Sequence, residues 1–365
     1  MKIFIQNHIK EDHDFLGHTI SHISYDGYLK YNKKFLNYLK HGISGNNLFA
    51  KLRNPEFIQN LYQRKDKEYF RFLNEFKEKY KEYDVIVMNP GVDLVHPEFL
   101  YKHFKNSLKV LHFIDDPHAT YNYCLPYSWA FDAATYISPS YSKDLDMSQL
   151  LKLTGFKYTH WTPLNGSNIH SPKWTNTELE KQLKTRKKEA VYFGNYYTDK
   201  MERLITLKKN LKKNFQIYGK FPLKGYSFFI FSLLKKNPVF YIPNSSLLPI
   251  ARNRVYENTA IGINMHLTHP ACETGNARTY ELAYNGVAQI IDTSDVSLIK
   301  NIFIPNKEIL TYESIEECIF QTKRLMQDDD LRYKIALAGY KKATEEYSYS
   351  KTFEKLISWF KTIIY

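Results

Sequence analysis

The stretch that decides the fold is Glu273-Thr-Gly-Asn-Ala-Arg-Thr-Tyr-Glu281, followed by an apolar run from Val287 to Ile291. The Gly-Asn pair predicts a turn that opens a helix, and the later Asn-Gly pair predicts the end of that helix before a strand. Because a helix has about 3.6 residues per turn, Arg278 and Glu281 should lie near its start, about one turn apart.

These residue types suit a nucleotide diphosphate. The free amide N–H groups at a helix start, together with an arginine, form a site for a phosphate group. A carboxylate one turn further in can hold a ribose diol, as acidic residues do in nucleotide-binding α/β folds. The alternative is an ordinary turn before an amphipathic helix, since two glutamates at this spacing also occur by chance.

Composition restricts the class of protein. With 365 residues the chain is longer than one core usually holds, so two domains are expected. The hydrophobic fraction of 43% is that of a globular protein. A formal net charge of +13 favours polyanionic partners, such as nucleic acid, an anionic membrane surface or phosphorylated small molecules, without choosing among them.

Cysteine usage and hydropathy predict a cytoplasmic protein. Cys124, Cys272 and Cys318 are scattered and show no metal-binding spacing. The N-terminus lacks the apolar core of a signal peptide. The most apolar run, residues 226–234, is too short to span a bilayer. It favours a buried helix, although the adjacent Lys235-Lys236 leaves a peripheral membrane contact open.

Strand-like runs alternate with helical patterns twice along the chain, which predicts βαβ units and parallel sheets. In the first half, strands are expected near residues 2–7, 83–90, 108–114, 131–138 and 157–164, with one long helix over 56–83 and another from Ser142 to Leu153. In the second half, strands are expected near 188–194, 215–219, 261–266 and 287–291, and helices over 199–211, 278–284, 314–326, 328–345 and 350–364.

The strand ends of the second half point to a ligand edge. In open parallel sheets, ligands bind beyond the carboxyl ends of the strands. Gly194 follows one such strand and would let the backbone approach a ligand, although a plain strand-to-helix turn explains it equally well. Neither half carries a complete G-x-G-x-x-G motif or a P-loop, which disfavours dinucleotide binding and ATP hydrolysis.

The second half resembles the C-terminal domain of GT-B glycosyltransferases, and most closely the spore-maturation-type (CgeB-like) branch. The matching residues are Asn264 to His266, Gly275 to Glu281 with Gly286, Ile309 to Tyr312, and Asp330 to Gly339. In the first half they are Asp115 to Pro117, Phe131-Asp132, Gly155 and Trp161 to Leu164.

The resemblance implies two Rossmann-like domains facing a central cleft. The N-terminal acceptor domain would span residues 1–168, followed by a linker over 169–175 and a C-terminal donor domain over 176–345. The last helix, in 346–365, would cross back to the N-terminal domain.

The resemblance also implies a sugar-nucleotide donor and assigns residues to it. Asn276 and Arg278 would face the diphosphate, Glu281 would hold the ribose, and Glu273 would stand near the donor sugar. Gly275 and Ala277 belong to the same motif, and Gly194 completes the predicted donor set together with Arg252. Independently of the resemblance, Arg252 and Arg254 could reach the diphosphate, although a solvated helix face explains them equally well. Neither a cofactor nor a catalytic metal is expected, because arginines and helix dipoles can stabilise the leaving diphosphate.

The first half offers a candidate base. Asp115, Asp116 and His118 follow a strand end, where one of them could take the proton of an acceptor hydroxyl. A turn or helix cap is the plainer interpretation of two acids before a proline, and no third ligand suggests a metal.

The sequence therefore predicts a glycosyltransferase that moves a sugar to a glycan, lipid-linked glycan or protein, in cell-surface glycan biosynthesis. The predicted partners are a nucleotide-sugar and a glycan or glycolipid acceptor. A peripheral contact with an anionic membrane is a further candidate. The alternatives are a nucleic-acid-binding protein, a glycosyltransferase acting on DNA, and a GT-B scaffold without turnover. Nucleic acid is the less favoured partner, because the lysines are spread along the chain and no nucleic-acid motif is visible.

Overall fold

The computed structural model describes residues 1–6, 13–23, 55–88, 95–113, 125–140, 144–164, 173–266 and 275–365. The chain divides into two compact units. Unit 1 comprises Met1–Tyr141, Leu145–Thr162 and Glu354–Tyr365, and unit 2 comprises Ser142–Asp144 and Pro163–Phe353.

Unit 1 is built on a seven-stranded sheet of order β2-β3-β1-β4-β5-β6-β7. Its strands are β1 (Lys2–Gln6), β2 (His13–Phe15), β3 (His18–Ile23), β4 (Val85–Met88), β5 (Leu108–Phe113), β6 (Ala133–Tyr136) and β7 (Tyr158–Trp161). All neighbours pair in parallel except β2 and β3, which are antiparallel. The sequence did not predict β2 and β3, because their histidines and serines break the apolar pattern that marks a buried strand.

The helices described in unit 1 differ from the predicted ones. They are α1 (Pro55–Gln63), α2 (Lys67–Tyr80), α3 (Pro97–His103) and α4 (Met147–Leu153). The single helix predicted over 56–83 is wrong, because Lys65 takes a positive φ of 52° and Asp66 caps a new helix by accepting from the amides of Glu68 and Tyr69. Helix α4 is capped by Asp146, not by Ser142, which lies outside the described residues.

Unit 2 is built on a six-stranded, fully parallel sheet of order β10-β9-β8-β11-β12-β13. Its strands are β8 (Lys187–Phe193), β9 (Phe215–Gly219), β10 (Asn244–Ser245), β11 (Thr259–Asn264), β12 (Ala288–Asp292) and β13 (Leu310–Tyr312). Strand β11 is buried along its whole length, and its core neighbours come from helices on both faces. All carboxyl ends of these strands lie at one edge of the sheet.

The helices of unit 2 follow the alternation expected from the sequence. They are α5 (Asn176–Thr185), α6 (Thr198–Leu211), α7 (Tyr226–Leu234), α8 (Pro249–Asn258), α9 (Ala277–Tyr284), α10 (Val296–Ile299), α11 (Ile315–Gln327), α12 (Asp329–Glu346) and α13 (Tyr349–Ile364). Residues 354–365 of the last helix and its end cluster with unit 1, where the ring of Trp359 stacks on His160 at 5.0 Å. No helix in the described ranges is both long and apolar enough to cross a bilayer.

The prediction that residues 226–234 form a buried helix is right about the helix and wrong about its burial. The run is helical, as α7, but within it only Phe228 and Ser232 are buried. Tyr226, Ile230 and Leu233 are exposed along one side, because the helix packs on one face only and nothing in the described chain covers the other.

Candidate donor-nucleotide site

The motif helix α9 starts as the sequence predicts, and a tight turn explains the glycine before it. Gly275 has a φ of +98°, and a Cβ there would also lie 2.8 Å from the Cδ1 of Ile302. Asn276 is the N-cap. Its side-chain oxygen accepts from the amides of Arg278 at 2.9 Å and Thr279 at 3.3 Å. Two amides that the sequence assigned to a phosphate are therefore occupied by the cap.

Asn276 also ties the helix start to the sheet. Its side-chain nitrogen, Nδ2, donates to the Oδ1 of Asn264 at 2.9 Å, and Asn264 is the last residue of β11. The Nδ2 of Asn264 in turn lies 3.0 Å from the Oγ1 of Thr279 and 3.2 Å from the Oε1 of Gln289 on β12. This network of buried amides fixes α9 against two strands, so the side chain of Asn276 positions Arg278.

A cavity of about 290 Å³ lies at the carboxyl edge of the sheet in unit 2, at the lower end of the usual size of ligand pockets. It is lined by residues 193–195 at the end of β8, 218–220 at the end of β9, 246–248 after β10, and by Arg252 and Arg278. Lys220 adds a third cation, and the lining residues that the structure describes include no carboxylate. The cavity therefore favours an anionic ligand.

Two glycines let the ends of β8 and β9 come together at the cavity wall. A Cβ on Gly219 would lie 1.8 Å from the carbonyl oxygen of Gly194, closer than any real contact. A Cβ on Gly194 would lie 2.1 Å from the hydroxyl of Tyr192. Phe193 and Tyr218 stack beside them with ring centroids 4.7 Å apart. The wall of the cavity is thus backbone and aromatic rings.

Glu281 lies between the two arginines of the cavity. Its Oε1 accepts from Arg252 at 2.8 Å, and its Oε2 is paired with the guanidinium of Arg278. The ε-nitrogen of Arg278 also donates to the carbonyl of Phe193 at 3.4 Å. Burial alone would lower the pKa of Arg278, but Tyr256 and the Glu281 carboxylate outweigh it and raise that pKa, so the guanidinium stays charged.

A second charged group stands at the ends of β11 and β12. His266 Nδ1 lies 2.8 Å from the Oδ1 of Asp292, and Arg203 on α6 donates to the Oδ2 of Asp292 at 2.8 Å. Burial would raise the pKa of Asp292, but the hydrogen bonds and charge of His266 and the charge of Arg203 outweigh it and lower that pKa. The Nε2 of His266 is buried and has no hydrogen-bond partner in the described chain.

The phenol of Tyr192 lies within electrostatic reach of both charged groups. Burial raises the pKa of Tyr192, while Arg203 and Arg278 act to lower it, so this hydroxyl lies within the fields of both arginines. Like His266 Nε2, the Tyr192 oxygen has no hydrogen-bond partner in the part of the chain that is described.

The structure brings only some of the predicted residues together. Gly194, Arg252 and Arg278 line one cavity, and Glu281 joins the two arginines. Gly275, Asn276 and Ala277 form the turn, the cap and the first residue of α9 and do not line the cavity. Asp115, Asp116, His118 and Glu273 lie outside the described residues.

Sequence reasoning missed residues 246–248, Arg203 and Asp292. A signal was available for Asp292, which ends the strand next to β11 and therefore meets His266 at the same edge of the sheet. In the described ranges no group of three or more His, Cys, Asp or Glu side chains is placed to hold a metal ion.

The comparisons with known proteins agree with this geometry. Residues 201–358 match the model of a family described as "Glycosyl transferase-like". No curated protein sequence matches the chain.

Solved structures match over most of the chain at low sequence identity. An alpha-glucosyltransferase, solved with UDP-glucose and DNA containing an abasic site, has a TM-score of 0.58 at 11% identity and covers 79% of this chain and 83% of its own. Sucrose-phosphate synthase from Thermosynechococcus elongatus has a TM-score of 0.53 at 12% identity and covers 82% and 79%. Anabaena HepE in complex with UDP-glucose has a TM-score of 0.52 at 11% identity and covers 79% and 82%.

The two α/β units, each built on a largely parallel sheet, and these neighbours define a GT-B fold, which confirms the predicted fold class. The family match adds that residues 201–358, less than half of the chain, are similar to glycosyl transferases.

Proposed function

We propose that the chain transfers a glycosyl group from a nucleoside diphosphate sugar, and that the cavity of unit 2 holds the donor. The observation that carries the proposal is the cavity itself, which is lined by Lys220, Arg252 and Arg278, with no carboxylate among its described lining residues. A diphosphate carries negative charge that grows as the bond to the sugar breaks. Fixed cations stabilise that charge most at the transition state.

The carboxylate of Glu281 has two roles in this proposal. Without donor it holds Arg252 and Arg278 in place from behind the cavity. With donor bound, it would accept hydrogen bonds from the ribose hydroxyls, as the resemblance of this motif implies. The arginines can turn toward phosphate while Glu281 remains hydrogen-bonded, because the hydroxyl of Tyr256 lies 3.5 Å from its Oε2.

In the transfer step, an acceptor hydroxyl oxygen bonds to the anomeric carbon as the bond from that carbon to the diphosphate oxygen breaks. The hydroxyl proton leaves to a base, and the electron pair remains on the diphosphate. Asp115, Asp116 and His118 stay our candidates for that base if the enzyme inverts. Glu273 stays our candidate beside the donor sugar if it retains. Catalysis without a metal is part of the proposal, and transfer that persists in EDTA would support it.

The finer assignments belong to the same proposal. We place the chain in the spore-maturation-type branch, acting from the cytoplasmic side on a glycan or glycolipid in cell-surface glycan synthesis, with peripheral membrane contact. UDP-glucose is the first donor to test, because the solved neighbours include complexes with it. The alpha-glucosyltransferase neighbour, which was solved with DNA, keeps DNA as a second acceptor for the assay.

A nucleotide screen with a matched pair of variants tests the proposal. UDP, GDP, CMP, dTDP and ADP are compared by thermal shift, where a ligand at 100 times its Kd adds about 2.7 kcal/mol. Arg252→Ala should lose that shift, whereas Arg254→Ala should keep it, because Arg254 is exposed on the same helix and does not line the cavity. Hydrolysis of the best donor then separates an enzyme from a binding scaffold. No shift with any nucleotide would overturn the assignment.

A further inference from the structure

One segment of unit 2 carries an unusual charge. Residues 203–256 contain eleven lysines and arginines and no aspartate or glutamate. The whole chain has a formal net charge of +13, so this segment accounts for most of it. The bordering acids are Glu202 and Glu257, each of which already pairs with a lysine.

The same segment exposes large apolar side chains. Nine of the 19 large hydrophobic residues that are exposed in the described chain fall within it, including Leu234, Phe240, Leu248 and Ile250. Phe240 is 93% exposed and Leu234 is 77% exposed. Scattered apolar residues are normal on a protein surface, but a concentration of this kind marks an interaction site.

The exposed residues form a continuous face, because helix geometry and side-chain contacts join them. Tyr226, Ile230 and Leu233 recur at helical spacing on one side of α7, opposite the buried Phe228. The loop after α7 folds back onto this helix. Phe240 packs edge-on against Phe229 at 4.9 Å, and a Cβ on Gly225 would lie 2.8 Å from the Cγ2 of Ile242. We call residues 223–242 the basic apolar face.

Lysines border this face at both ends of the helix. Lys224 precedes α7, and Lys235 and Lys236 follow it, all three exposed. Apolar side chains flanked by lysines suit the boundary between lipid headgroups and acyl chains. There the apolar side chains insert into the bilayer, and the lysines contact anionic headgroups. A second copy of the chain would bring a face of the same charge, which disfavours self-association. Aliphatic residues such as Leu233 and Leu234 offer nothing to nucleic acid.

We infer that the basic apolar face docks unit 2 on the surface of an anionic phospholipid bilayer. Lys220 and Leu248, which flank the face in sequence, line the donor cavity. Docking would therefore hold that cavity near the membrane surface. If the proposed function holds, the acceptor hydroxyl is then carried by a lipid.

Co-sedimentation of the full chain with vesicles tests the inference, without donor or acceptor present. The chain should bind vesicles containing phosphatidylglycerol and should not bind pure phosphatidylcholine, and raising the salt concentration should weaken binding. The double variant Leu234→Ser/Phe240→Ser should weaken binding at least tenfold, since each side chain loses its burial in lipid. Lys224→Gln/Lys236→Gln should weaken it about 25-fold, at roughly fivefold per lysine.

The control is Phe320→Ser/Lys341→Gln, which changes an exposed aromatic residue and an exposed lysine elsewhere in unit 2 and should bind as the wild type does. Circular dichroism melting checks that each variant is folded. The inference is overturned if the wild-type chain does not co-sediment with anionic vesicles. Binding of the chain to a DNA duplex but not to vesicles would also overturn it. The same holds if the substitutions abolish self-association of the chain, measured by sedimentation velocity, and not vesicle binding. Because no step requires transfer, the docking can fail or hold independently of the proposed function.

Discussion

Replacement of Arg278 by alanine should weaken nucleotide binding while leaving unit 2 folded. In the structure the Arg278 guanidinium is paired with Glu281 and donates to the carbonyl of Phe193. Its loss leaves Glu281 with Arg252 at 2.8 Å, so no carboxylate is stranded. The stability cost should therefore stay near 1 kcal/mol, as for a typical hydrogen bond.

The loss of binding should be larger. A hydrogen bond to a charged group contributes roughly 1.5–3 kcal/mol, which corresponds to about 12-fold to 150-fold in Kd. Isothermal titration of the nucleotide chosen by the screen measures this change. Arg278→Lys should recover part of the affinity, because it restores the charge without the two-pronged geometry. A folded Arg278→Ala protein with wild-type Kd would refute the placement of the diphosphate against this residue.

Three further predictions concern other parts of the molecule. Burial lowers the pKa of His96 to about 4, and its Nδ1 accepts the amide of Glu98, so the folded chain keeps this ring neutral. Below about pH 6.5 the unfolded chain binds a proton that the folded chain does not. Burial also lowers the pKa of His112 and of His160 to about 4, so the unfolding free energy of unit 1 should fall between pH 7 and 4.5 in urea titrations, with roughly 2–3 kcal/mol of that fall from His96. His96→Asn should remove that share only, and an undiminished fall would contradict the role of His96. Asp292→Asn removes the carboxylate that pairs with Arg203 and should destabilise unit 2 by about 1.5–3 kcal/mol in the same assay, and an unchanged midpoint would contradict that role. Gly219→Ala should abolish nucleotide binding in a thermal shift assay, because its Cβ would force the ends of β8 and β9 apart, and retained binding would show that this wall is not needed.

The order of elements in unit 2 could be predicted from the sequence because each element carries its own local signal. Helix α9 is marked by a left-handed glycine, a capping asparagine and an Asn-Gly end, all within twelve residues. Strand β11 is marked by an apolar run without charges. Signals of this kind depend only on neighbouring residues, so no tertiary knowledge is needed to interpret them.

The roles of the site residues could not be predicted in the same way. From the sequence, Asn276 was predicted to contact the ligand. In the structure its side chain instead donates a hydrogen bond to Asn264, twelve positions earlier in the sequence. Arg252 and Arg254 are equivalent in sequence, and only the packing of α8 places the first in the cavity and leaves the second in solvent. The exposure of α7 was also hidden, because an apolar helix is buried or exposed according to what covers it, and the sequence does not show that.

The most direct test of the central claim is a crystal structure of the full chain with UDP, or with whichever nucleotide the screen selects. We expect the diphosphate oxygens to lie within hydrogen-bond distance of the guanidinium groups of Arg252 and Arg278, and the ribose to lie next to Glu281. A nucleotide bound anywhere else, with both arginines still paired only to Glu281, would contradict the account.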